Sequence, residues 1–472
     1  MYLINKVKET FKDRKKVLFL LLFLILLFYG FFIRTHGLGN DSFWIDESMS
    51  AVAAKNIHTY RVPLFDSGSL YHRSITFHYL MSGFLLFGYN EFNARFISVI
   101  FGLATCVLIF FIGQEYNKKT AWISFILSLF LEIFVVYSRQ ARMYQTEMFL
   151  FFLTGYLLYK GLKDKKYIFW ALISFILAYD THPIAVLILP FFGYVLFRHK
   201  ISKYWWILIS LFMVYLTYSL WSMMDSFRFF YFKSYLIYLK YYVPFLLVSI
   251  IGALLTFRKK LTWFLVLSFL MIIFVGMINK LFAYRYIYLA FLPVVVLAAV
   301  ALSKIKFGVG ISIVYIIFIS NIFFPFTYTS IIIPEQSVSH FDFTAPTADF
   351  KGIYNDLSNY TNETLVVGMT PESAWYFRNP DYWLYFSFTG INNSINETFS
   401  VYNETDIYTG AKVITNLSEF LDAGQVIVVL DSFSASRINR DIILYIKENC
   451  TKIDDKQEVS AYLCNSTLNR LV

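Results

Sequence analysis

The chain has 472 residues, 58% of them hydrophobic and only 15% charged, with a formal net charge of +10. A soluble protein carries roughly a quarter charged residues, so composition excludes an ordinary soluble enzyme and points to a chain that crosses a membrane repeatedly. The basic excess is not a nucleic-acid signature. Residues 331–472 hold 9 Lys/Arg against 18 Asp/Glu, while the remainder holds 32 against 13, the pattern of basic loops between membrane spans.

The N-terminus is basic, with Lys6, Lys8, Lys12, Arg14, Lys15 and Lys16, and an apolar run follows over 17–33. The run is too long for a signal peptide and has no small-residue cleavage site after it, so it reads as a first transmembrane helix that stays attached. A bilayer needs about 20 apolar residues. Further candidate spans are 96–112, 121–137, 143–162, 167–179, 184–197, 205–223, 242–257, 263–278, 287–302 and 309–326, eleven in all, two of them short and meeting at Pro183. The apolar segment 75–89 reads as a helix lying on the interface, because a span there would invert every later loop.

The loops alternate in charge. Lys118-Lys119, the lysines of 160–166, Arg198–Lys200, Arg258–Lys260 and Lys304–Lys306 fall on the side of the N-terminus. The positive-inside rule makes that side cytoplasmic and places the first loop and the acidic tail outside. Seven of eight Asn-X-Ser/Thr sequons, at Asn359, Asn362, Asn392, Asn396, Asn403, Asn416 and Asn465, lie in that tail, and the eighth is at Asn40. The expected division is a membrane domain over 1–330, with a first external loop over 34–94, and a small extracytoplasmic α/β domain over 331–472. In the tail, β-type apolar runs appear at 364–368 and 425–430 and helical patterns at 348–357 and 435–447, with Ile438, Ile442, Ile443 and Ile446 on one face. Its expected role is a cap over the membrane site. Cys450 and Cys464 leave a disulfide open.

The chemistry gathers where the spans end. Asp46 and Glu47, in Trp44-Ile45-Asp46-Glu47-Ser48, follow the first span. Acid/base work, capping of a following helix and a divalent cation are all open readings of two adjacent carboxylates. Arg139 and Arg142, in Ser138-Arg139-Gln140-Ala141-Arg142-Met143-Tyr144, and Arg285, in Tyr284-Arg285-Tyr286, run against the charge expected outside. They suit a lipid phosphate, with snorkelling to ordinary headgroups as the alternative. Lys55, His72, Arg73 and His182 are further candidates to line the site; His182, before Pro183, has a structural role as its alternative.

These pieces, taken in order with Tyr71-His72-Arg73, Phe77-His78-Tyr79-Leu80 and Asn93-Ala94-Arg95-Phe96, resemble the GT-C superfamily of polyprenyl-phosphate-dependent glycosyltransferases. The resemblance covers roughly 17–325 and leans to the protein O-mannosyltransferase and aminoarabinose-transferase branch. The family often has His-Pro-Pro where this chain has His72-Arg73-Ser74. No Trp-Trp-Asp sequence of the oligosaccharyltransferase type is present. The resemblance implies a polytopic α-helical membrane fold of GT-C type. It implies inverting transfer from a polyprenyl-phosphate sugar to a protein, lipid or glycan acceptor, with no cofactor and no metal. Asp46 would be the base, and Glu47 would support it or bind the acceptor. Arg139, Arg142 and Arg285 would hold the donor phosphate, with Tyr144 and Tyr286 adding hydrogen bonds. A transporter of lipid-linked sugars and a receptor presenting its tail are the competing readings.

Overall fold

Long apolar runs without helix breakers become helices that can cross a bilayer. The computed structural model describes residues 14–199, 214, 218, 235, 242–279, 284–319, 348–360, 362–368, 371–384 and 404–465. Among them, Arg14–Thr35, Glu91–Gln114, Lys260–Ile278 and Arg285–Leu302 are long and apolar enough to span. A fifth span follows if the helices Lys118–Phe130 and Glu132–Ser138, bent by 57° at Leu131, count as one. The chain is a multi-pass membrane protein. The sequence predicts eleven spans; those expected at 143–162 and 167–179 are the helices Tyr144–Gly161 and Lys166–Thr181. The span expected at 205–223 falls almost wholly outside the described residues. Pro183 does interrupt the chain: a 3-10 turn, Pro183–Ile188, precedes the helix Leu189–Arg198.

The residues divide into two compact units. One holds 1–36, 98–139 and 143–328. Its helices close on one another at small residues, as membrane helices do. A Cβ added at Gly252 would collide with the backbone carbonyl of Leu297, and one at Gly155 with the ring of Phe264.

The other unit holds 37–97, 140–142 and 329–472. The first loop therefore groups with the tail, which differs from a boundary at 330. The reason is a set of polar ties. Ser42 Oγ donates to Asp349 Oδ1 at 3.1 Å and accepts from the Lys351 N–H at 2.9 Å, and Lys351 Nζ pairs with Glu91 at 3.2 Å. The loop supplies two helices, Ile45–Tyr60 and Ile75–Leu85. The second has 11 residues, too few to span, in keeping with an interfacial placement.

The tail of this unit is a six-stranded sheet: β1 Thr364–Val367, β2 Tyr382–Leu384, β3 Lys412–Ile414, β4 Gln425–Asp431, β5 Thr451–Lys456 and β6 Val459–Asn465. Its order is β3-β2-β1-β4-β6-β5. The first four strands are parallel, and β6 pairs antiparallel with both β4 and β5. Both faces are covered. Leu365, Val367, Ile427 and Val429 pack with Phe350, Ile353 and Tyr354, while Val366, Val426, Val428 and Leu430 pack with Ile442 and Ile446. Burial on both sides is why β4 reads as an unbroken apolar run. Cys450 and Cys464 are joined in a disulfide.

Gly252→Ala should lower the thermal stability of the detergent-solubilised chain by about 1–3 kcal/mol through overpacking. Gly310→Ala, where an added Cβ meets nothing within 4 Å, is the control and should be neutral or slightly stabilising.

Candidate functional site

The first-loop site begins with an arginine. Arg95, near the start of the Glu91–Gln114 helix, is fully buried. Its Nη1 donates to the carbonyls of Leu38 and Asp41 at 2.9 Å each, and its Nη2 to the Ser42 carbonyl at 3.0 Å. Its Nε and Nη2 grip Glu47 at 2.9 and 2.7 Å. All five guanidinium donors are used, and the ring of Phe43 lies 5.0 Å away. Glu47 Oε1 also accepts the Ala141 N–H at 2.6 Å.

Adjacent helical residues point about 100° apart, so the carboxylates of the acidic pair diverge. Asp46, on the first turn of the Ile45–Tyr60 helix, approaches Arg142 with Oδ2 at 3.4 Å from Nη2. Arg142 Nη1 also reaches the Asp46 carbonyl at 2.9 Å, Ser50 Oγ at 2.7 Å and the Tyr71 hydroxyl at 2.9 Å. Asp46 keeps 18% side-chain exposure, against none for Glu47. A cation shared by the pair would require Glu47 to leave Arg95 and Ala141. Among the described residues no three His, Cys, Asp or Glu side chains are placed to share a metal ion.

Tyr71 packs 4.6 Å from the ring of His78, which is fully buried and held through Nδ1 on the Ser74 carbonyl at 2.8 Å. Burial, with the Arg142 charge adding to it, pushes the imidazole down to about 3. His72 and Arg73 are exposed beside this cluster. Lys55 is half-buried, with Nζ 6.0 Å from the Trp375 ring.

In the other unit, Arg139 Nη1 donates to the carbonyls of Ile33, Arg34 and His36 at 3.0, 3.3 and 2.7 Å. It closes the C-terminal end of the Arg14–Thr35 helix, where a cation is stabilising. Nη1 thus caps a helix, a contact that motif reading did not foresee beside the phosphate role expected of Arg139. Arg285 lies 5.9 Å from the Tyr144 ring and 5.7 Å from the Tyr286 ring, so these three expected residues do gather. His182 caps the turn that follows it, its Nδ1 accepting the Ile184 N–H at 3.2 Å.

Sequence reasoning missed Arg95, Ser50 and Tyr71 as site residues. It also missed Gln140, a buried amide whose two polar atoms have no hydrogen-bond partner among the described residues. Arg95 and Tyr71 lie within the short stretches that carry the family resemblance. Gln140 sits between two arginines that drew attention away from it.

The family profile for dolichyl-phosphate-mannose-protein mannosyltransferase matches residues 72–223. An uncharacterised protein of Aquifex aeolicus (strain VF5) is 30% identical over 193 residues, 39% of this chain and 38% of its own length. The match thus spans well under half of that curated relative. ArnT from Cupriavidus metallidurans, solved with undecaprenyl phosphate bound, superposes with a TM-score of 0.62 at 11% identity, covering 93% of this chain and 97% of ArnT. The Archaeoglobus fulgidus oligosaccharyltransferase tethered to an acceptor peptide gives 0.52 at 13% identity, covering 93% and 73%. The chain shares its fold with ArnT and this oligosaccharyltransferase, and residues 72–223 are similar to the mannosyltransferase family, in line with the sequence resemblance. These matches do not favour the transporter reading.

Glu47→Ala should cost about 3–5 kcal/mol, because Arg95 is left buried and uncompensated. Asp46→Asn should cost far less; thermal unfolding of the two variants in detergent reads the contrast. For His78 the unfolded imidazole takes a proton below its ordinary 6.5, while the folded one resists until about 3. Stability should therefore fall as pH drops through that window, by up to about 1.4 kcal/mol per pH unit. His78→Gln should lose less than the wild type between pH 6.5 and 4.

Proposed function

We propose that this chain is an inverting glycosyltransferase that moves a sugar from a polyprenyl-phosphate donor to an acceptor hydroxyl outside the cytoplasmic membrane. The observation that carries the reading is Asp46, partly exposed and aimed by Arg142, in a chain with the fold of an enzyme solved with undecaprenyl phosphate. In this reading Asp46 takes the proton of the acceptor hydroxyl as its oxygen attacks the anomeric carbon from the face opposite the phosphate. The bond between that carbon and the phosphate oxygen breaks, and polyprenyl phosphate leaves with both electrons of the bond.

Arg285, with Tyr144 and Tyr286 around it, is the donor-phosphate candidate, because a guanidinium fits phosphate oxygens and stabilises charge developing on the leaving group. Arg142 serves Asp46, and Arg139 serves the helix it caps. Glu47 acts through Arg95 as a positioning residue. Lys55, His72 and Arg73 remain candidates for the acceptor side. The first loop and the tail lie outside in this reading and the N-terminus inside, as the loop charges require. No cofactor is needed.

The test uses the full chain in liposomes with labelled polyprenyl-phosphate mannose, glucose, galactose and arabinose, and membranes from a strain lacking the chain as acceptor. The wild type should transfer at least one of these sugars. Asp46→Asn should slow that transfer by about 10²–10⁴-fold with its melting temperature retained. Arg285→Ala should raise the donor KM. Full activity in Asp46→Asn would remove the base from the mechanism.

A further inference from the structure

The sheet of the loop-and-tail unit reverses direction between two of its strands. From β1 the chain moves outward to β2 and β3, then returns across β1 to β4. In open α/β sheets ligands bind outside the carboxyl ends of the strands at such a reversal. Glu372 stands there, just after β1, opening the short helix Glu372–Tyr376. The carboxyl end of β4 meets the same place. A Cβ added at Gly368 would come within 2.8 Å of Ser434 Cβ, so a residue without a side chain lets β1 end against Ser434.

Glu372 is fully buried, and apart from its own backbone N–H its carboxyl has no hydrogen-bond partner among the described residues. The hydroxyls of Ser373, next in the chain, and of Ser434, against Gly368, also lack a partner among the described residues. A buried carboxyl without a partner is costly, and a bound polar group would satisfy it.

The same helix rests on the first-loop site. The Phe43 N–H donates to the Tyr376 hydroxyl at 2.7 Å, and the Trp375 ring lies 5.3 Å from that of Phe43. Burial first, then the charges of Asp431 and Asp46, push the Glu372 carboxyl well above the usual carboxylate range. A neutral carboxyl both donates and accepts, which suits a hydroxyl, and it adds no second negative charge beside Asp46.

We propose that Glu372 binds the acceptor, hydrogen-bonding a hydroxyl-bearing group at the carboxyl end of β1 and so presenting the reacting hydroxyl to Asp46. This rests on the transferase reading above. It adds that the tail is part of the acceptor site and not only a cover. Glu372 moves no proton in the transfer; Asp46 takes it.

The test is acceptor-dependent transfer by the full chain from whichever of the four labelled polyprenyl-phosphate sugars the wild type uses, with the amount of acceptor membrane varied. Glu372→Met should raise the apparent acceptor KM about tenfold or more, with donor KM and kcat changed less than about threefold. Its melting temperature should be unchanged or higher, because a buried carboxyl is removed and no hydrogen bond to another described residue is lost. Glu372→Gln, which keeps a donor and an acceptor, should restore most of the affinity. An unchanged acceptor KM in Glu372→Met would overturn the proposal. A fall in melting temperature with kcat and both KM values impaired together would also overturn it, as the mark of a structural residue. Loss of transfer in Asp46→Asn with Glu372→Met unaffected would leave the transferase reading standing without this extension. No transfer by the wild type from any of the four donors would remove both.

Discussion

The first-loop site depends on one ion pair, Arg95 with Glu47. Two buried charges cost several kcal/mol each to desolvate, and attraction alone seldom offsets that. Here the cost is met by geometry. Every Arg95 donor has an acceptor, three of them carbonyls of the 38–42 turn, and Glu47 takes a backbone N–H from the 140–142 segment as well. One guanidinium therefore fixes the turn before the Ile45–Tyr60 helix, the first turn of that helix and the segment carrying Arg142. Asp46 sits on the helix turn that this clamp holds, and its approach to Arg142 follows from it.

The acidic pair was legible because charge is scarce in this chain and two adjacent carboxylates stand out against 58% hydrophobic residues. The division of labour inside the pair was only half legible. That Glu47 supports Asp46 follows from the family resemblance; that it does so through Arg95 depends on a partner 48 residues away, which no local pattern records. Arg139 kept its capping contact hidden for the same reason. In sequence it is the twin of Arg142, three residues off, yet its carbonyl acceptors belong to a helix end about a hundred residues earlier. Side chains that satisfy distant backbone are invisible to motif reading, whereas those that face a ligand often keep a recognisable local setting.

The tail shows the same limit at the level of strands. Residues 364–368 and 425–430 were readable because β1 and β4 lie inside the sheet and carry unbroken apolar runs, 365–367 and 426–430. β5, Thr-Lys-Ile-Asp-Asp-Lys, was not, because it is an edge strand and charge on an edge opposes unwanted pairing. β2 and β3, three residues each, are too short to carry a period. The grouping of the first loop with the tail had no sequence signal at all, since Ser42, Asp349 and Lys351 are ordinary polar residues until they meet.

That grouping bears on the chemistry. Three carboxyls gather in one unit, and their surroundings differ. Glu47 is dry and fully paired, Asp46 is partly wet and beside an arginine, and Glu372 is dry and unpaired among the described residues. Pairs of acids whose environments push them apart are how sites assign different tasks to the same functional group. In the proposed reading the dry, paired acid holds structure, the partly exposed one takes the proton, and the dry one without a described partner binds the acceptor. A tail that merely covered a membrane site would gain little from a buried carboxyl that lacks a partner among the described residues at the reversal of its sheet. One that completes the acceptor site would gain, because the cost of leaving Glu372 unpaired is recovered when a hydroxyl arrives.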